Sequence, residues 1–79
     1  MKLYKKYIDV VVHVNTLGEI MPLFIVFETQ KYKIEKILLI KKSSSAVGGS
    51  GILYQCKIQN SVRNIYLERN RWFIESLYA

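Results

Sequence analysis

Apolar side chains recur at every second position over nearly the whole chain, and this period restricts the fold more than any other feature of the sequence. Ile8, Val10, Val12 and Val14 alternate with Tyr7, Asp9, Val11 and His13. Ile52, Tyr54, Cys56 and Ile58 alternate with Leu53, Gln55, Lys57 and Gln59, and further on Arg63, Ile65 and Leu67 stand opposite Val62, Asn64 and Tyr66. A strand turns successive side chains to opposite faces, so these runs predict strands. Trp72 to Leu77 reads as a last strand, with a short helix capped by Asn70 as the alternative.

Between the runs lie residues that tolerate tight reversals. Asn15-Thr16-Leu17-Gly18 predicts a first hairpin, Asn60-Ser61 a second, and Arg69-Asn70-Arg71 a further turn. Thr29-Gln30-Lys31 is a short polar connection. Residues 31–40 are ambiguous: Ile34, Ile37 and Leu38 have helical spacing, whereas Tyr32 and Ile34 alternate with charges. Strand is the favoured reading, with a bulge near Glu35-Lys36 resetting the phase. The Ser- and Gly-rich stretch KKSSSAVGGSG predicts a flexible loop over residues 41–51. The expected product is an all-β single domain spanning 1–79. It is a small antiparallel barrel or two-layer sandwich of five or six strands, SH3-like in size.

The segment Glu19 to Glu28 is unusual because both of its faces are apolar, Ile20, Pro22, Phe24 and Val26 on one and Met21, Leu23, Ile25 and Phe27 on the other. A single core cannot cover both. Either the strand crosses between two packed layers, or Leu23, Ile25 and Phe27 form an interface for a homodimer or for a partner protein.

Composition removes several classes of function. The lone Cys56 can form no internal disulfide, and with one His it supplies no structural zinc site, so neither a metal nor another cofactor is expected. The N-terminal stretch Met1 to Asp9 lacks the apolar core of a signal peptide, and no apolar run approaches the ~20 residues of a membrane-spanning helix. A soluble protein of the reducing cytoplasm, with no membrane span, is the expectation.

Chemistry-bearing groups are few. Asp9 and His13 sit four apart on one strand face, about 13 Å at ~3.3 Å per residue, which is too far to make a catalytic pair. Cys56 shares a face with Tyr54 and Ile58 and reads as core filler. Gly48-Gly49-Ser50-Gly51 could cradle a phosphate beside Lys41 and Lys42, but it lacks the P-loop pattern and precedes a strand where a helix should open. Catalysis needs such groups beside orienting partners, so an enzyme is not expected.

Five segments carry a resemblance: Pro22 to Phe27; Tyr32 to Leu38; Gly48 to Gly51; Tyr54 to Ile58; and Tyr66 to Glu68 with Arg71 to Glu75. Over roughly Gly18 to Glu75 the chain resembles a group of short, uncharacterised all-β proteins of Gram-positive bacteria. More distantly it is similar to the small β domain at the C-terminus of Y-family-polymerase-like proteins. The resemblance implies the fold, and no activity comes with it.

What remains is charge. Twelve Lys and Arg against six Asp and Glu give a formal net charge of +6. Lys31, Lys33, Lys36, Lys41 and Lys42 cluster in the sequence, Arg69 and Arg71 flank a turn, and aromatic residues including Tyr32 are interleaved with them. A positive groove with aromatic platforms is the scheme of single-strand nucleic-acid binding on small β-barrels. The sequence therefore points to a non-enzymatic module contacting nucleic-acid phosphates through these eight residues. The alternatives are a basic face that serves only solubility, and the protein interface described above.

Overall fold

The computed structural model describes residues 3–44 and 50–77. The chain forms β1 (Leu3–Val14), β2 (Ile20–Phe27), β3 (Gln30–Lys33), β4 (Lys36–Ser44), β5 (Ser50–Ile58), β6 (Ser61–Glu68) and β7 (Arg71–Leu77). These make one antiparallel sheet in the order β3-β2-β1-β7-β6-β5-β4, curled into a half-barrel. Residues 31–40 are therefore strand apart from Ile34-Glu35, and Trp72 to Leu77 is strand rather than helix.

Seven strands replace the expected five or six because one run of sequence serves two neighbours. β3 pairs with β2 and β4 pairs with β5, although only Ile34 and Glu35 separate them. At this corner Ile34 N–H donates to Leu23 O at 2.9 Å and Glu35 N–H to Lys57 O at 2.9 Å, so adjacent amides reach opposite flanks. β1 makes a second corner, pairing with β7 from Leu3 to Ile8 and with β2 from Asp9 to Val14. Such changes of partner are what curl the sheet, and alternation alone does not reveal them.

A bulge resolves the strand with two apolar faces. Val12 pairs with Pro22 and Val11 with Phe24, leaving Leu23 as the extra residue. Ile20 and Pro22 point inward before the bulge and Ile25 after it, because one added residue reverses the phase. A similar irregularity in β4 leaves Leu38 without a cross-strand partner, rather than falling near Glu35-Lys36.

The inner core is Ile34, Tyr54, Cys56, Ile58, Ile65, Leu67 and Trp72, with Ile8, Val10, Val12, Ile25 and Ile37 packed against it. Tyr54 spans it, its hydroxyl donating to Ile20 O at 2.8 Å. The convex side carries a second cluster, Leu53, Tyr66 and Phe73, the last only 1% exposed. Tyr66 stacks on Phe73 at 5.0 Å, Tyr7 meets its edge at 6.0 Å, and Lys5 Nζ lies 4.9 Å from the ring centre. Glu68 accepts hydrogen bonds from Lys5 at 2.6 Å and Tyr7 at 2.9 Å beside it, which holds its carboxyl below the usual carboxylate range.

The turns follow from backbone geometry more than from composition. Asn15 Oδ1 accepts from the amides of Leu17 and Glu19, each at 2.9 Å, and Gly18 has φ 81°, as the Asn-Gly signal predicts. The β2–β3 reversal falls at Glu28-Thr29, both at positive φ, one step ahead of the expected Thr29-Gln30-Lys31, because these residue types rarely adopt that conformation. The next hairpin turns at Gln59-Asn60, again both at positive φ, the pattern of a two-residue turn that matches strand twist.

The 41–51 loop is shorter than its composition implies. Lys41–Ser44 and Ser50–Gly51 lie in paired strands, with Ser43 opposite Gly51, and Gly48-Gly49 fall outside the described residues. A backbone ladder needs only N–H and C=O groups, which Ser and Gly supply. Gly51 serves a close approach, since a Cβ there would sit 2.5 Å from Leu67 O.

Candidate functional site

Register and burial together decide which lysines share a surface. Cys56 is fully buried, so its neighbour Lys57 faces outward, and Lys36, directly opposite Lys57, faces outward with it. On the other side of the corner, Ile25 and Tyr32 pack against the inner core, which turns the Phe24–Lys33 pair and Lys31 to the convex side. Lys31 Nζ lies 5.0 Å from the centre of the Phe24 ring. Lys31, Lys33, Lys36 and Lys57 thus form one convex ridge around the Ile34-Glu35 corner, with an aromatic ring on the same surface.

The other residues that the sequence grouped with these lie elsewhere. Lys41 is also convex, opposite Leu53 and farther along β4, whereas Lys42, opposite Ile52, lies on the concave side. Tyr32 is concave too, its hydroxyl donating to Gln30 Oε1 at 2.7 Å, so it offers no platform beside the ridge. Arg69 sits in the β6–β7 turn, and Arg71 stands over Tyr7 at 4.3 Å and 3.6 Å from Glu68, within the outer aromatic cluster. Phe24 and Lys57 are the members sequence reasoning missed. Lys57 carries a usable signal, its opposition in phase to Cys56, but its proximity to Lys36 exists only in the register.

The ridge gathers four lysines around the Glu35 corner. None of its four lysines is in an ion pair among the described residues. Three acidic groups are engaged elsewhere: Glu68 with Lys5 and Arg71, Glu19 with Asn15, Glu75 with the Tyr66 hydroxyl. Glu35, at the corner itself, accepts from the Gln59 amide at 3.0 Å. Like charges directly opposite one another in an antiparallel pair are destabilising. The Lys36–Lys57 pairing therefore carries a standing cost that an arriving anion would remove.

A second feature lies where β6 and β7 separate. Their pairing covers only Tyr66–Phe73, Leu67–Trp72 and Glu68–Arg71. Beyond it β6 continues with β5 and β7 with β1, opening a cleft of about 610 Å³. Ser61 to Ile65 form one wall and Ile74 and Glu75 the other, over a floor that includes Ile25, Phe27, Tyr32 and Ile58. Two of the three residues assigned from sequence to an interface, Ile25 and Phe27, are in this floor, and Leu23 is exposed at the bulge.

The reactive groups are not brought together. Asp9 and His13 pair with Val26 and Met21 on the convex face and are both exposed. Cys56 has no exposed surface, its Sγ lies 3.6 Å from Tyr54 O, and burial pushes the thiol up to about 11. A reactive thiol needs the opposite environment, electropositive and accessible. Among the described residues no helix is long and apolar enough to cross a membrane, and no three His, Cys, Asp or Glu side chains are grouped to hold a metal ion. Comparison with known protein families, curated proteins and solved structures finds no match.

Proposed function

We propose that this protein is a non-enzymatic binding module that contacts nucleic-acid phosphates through Lys31, Lys33, Lys36 and Lys57. The observation that carries the reading is the direct opposition of Lys36 and Lys57, neither of which is in an ion pair among the described residues. A phosphate seated across the pair converts a mutual repulsion into two attractions. Phe24, held on the same surface beneath Lys31, adds the aromatic element that single-strand binding combines with charge. The net charge of +6 steers any polyanion toward the molecule before contact.

The test is fluorescence anisotropy of a labelled single-stranded oligonucleotide across a salt series. Four phosphates neutralised on a single strand give a slope near −2.8 on a log–log plot, or about 50-fold weaker binding between about 50 and 200 mM salt. Replacing Lys36 and Lys57 by Ala should reduce the slope by about 1.4. Because the same change relieves a repulsion, loss of affinity in that variant cannot be ascribed to unfolding. Binding that ignores salt, or that survives the double replacement unchanged, refutes the reading.

A further inference from the structure

The cleft between β6 and β7 has the form of a missing strand. Ser61–Ile65 pair with β5 on one side only, and Ile74–Leu77 pair with β1 on one side only, so each wall presents an edge without a strand beside it. Such edges invite added strands, and proteins commonly shield them. A ligand that satisfies them must bring its own alternating N–H and C=O groups, which a polypeptide does and a lipid or a nucleic acid does not. The floor of Ile25, Phe27, Ile58, Ile65 and Ile74 would receive every second side chain of such a strand.

Charge narrows the occupant. Arg63 lies opposite the buried Cys56 and so faces the concave side, where it lines the cleft without an ion pair among the described residues. Lys6 Nζ stands 4.5 Å from the centre of the Phe27 ring in the same floor. Glu75, the acidic group of the lining, accepts a hydrogen bond from Tyr66 at 3.2 Å. A second copy of this chain would bring +6 toward +6, which disfavours self-association. We propose that this cleft receives an extended acidic segment of a partner protein as an added β-strand, with apolar residues on the floor and a carboxylate against Arg63. The site is separate from the lysine ridge, so either proposal can fail while the other stands.

The experiment uses the full chain with a fluorescent peptide in which every second residue, the set facing the floor, is Val except for one Glu at the outer position of that face beside Arg63, with Thr between, followed by anisotropy and by amide hydrogen exchange. Saturable binding is expected, with slowed exchange at Ser61–Ile65 and Ile74–Leu77. Arg63→Glu should weaken this peptide about fivefold, the size of a partly exposed ion pair, and strengthen the same peptide with Lys in place of its Glu by a similar factor. That exchange of preference is a readout that misfolding cannot mimic. A backbone N-methylated form of the Glu-bearing peptide should lose binding, because its amides can no longer donate. Four results overturn the proposal: no binding, equal binding of the N-methylated peptide, protection of these amides by oligonucleotide instead, or protection that grows with protein concentration alone.

Discussion

Replacing Phe73 by Leu tests whether the convex face holds a true second core. The ring is 1% exposed on the side of the sheet that a half-barrel turns to solvent. It stacks on Tyr66, takes the edge of Tyr7 and lies under the Lys5 ammonium. Leucine keeps the burial and most of the volume but removes these ring-specific contacts. Aromatic pairs contribute ~0.5–1.5 kcal/mol each beyond area, and an exposed cation–π contact ~0.5–1 kcal/mol, so the loss should be about 2 kcal/mol. For a domain of this length that lowers Tm by about 8–16 °C. Truncation to Ala would cost ~3–5 kcal/mol, comparable with everything a core this small supplies, and would leave the chain largely unfolded. Thermal unfolding followed by circular dichroism measures the effect, with Phe27→Leu as the reference, since Phe27 is half-buried in the cleft and carries one cation–π contact. If Phe73→Leu shifts Tm no more than Phe27→Leu, the outer cluster is surface decoration and the account of a sheet packed on both faces is wrong.

Three further outcomes follow from protonation. The Cys56 thiol, raised to about 11 and fully buried, should resist a thiol reagent at mildly alkaline pH until the chain unfolds, and prompt labelling of native protein would contradict its placement. Because its folded value lies above the ordinary one of 9.0, the neutral thiol favours the folded state; stability should be intact below pH 9 and fall as pH rises toward 11, and Cys56→Ala should lose that decline in a pH series of denaturant titrations. Glu68 has the opposite sign: its folded value is lowered, so its contribution is present above pH 4.5 and lost on acidification, and Glu68→Gln should flatten the acid limb of stability against pH. An unchanged acid limb would mean that the Lys5 and Tyr7 contacts are not maintained in solution.

The sequence alone sufficed for which face a residue takes within a strand that carries no bulge or break. Alternation put Ile8, Val10, Val12 and Val14 on one face, of which the first three pack on the core and Val14 is exposed, put Tyr54, Cys56 and Ile58 together, and separated Lys57 from them. The Asn-Gly signal located the first hairpin because a single side chain, Asn15, organises it locally. Turns built by Glu28-Thr29 carried no such signal, since neither residue favours the backbone that the flanking strands impose.

Relations between strands were decided by the tertiary structure. Neither the partner change at Ile34-Glu35 nor the bulge at Leu23 alters composition, yet the first divides one predicted strand into two and the second turns Ile25 inward. The meeting of Lys36 with Lys57 and the parting of β6 from β7 arise from register and twist. Period reports the orientation of a side chain about its own backbone. It contains nothing about which other backbone runs alongside, because hydrogen-bonding groups of the main chain are the same at almost every residue, and the choice among partners falls to packing of the whole.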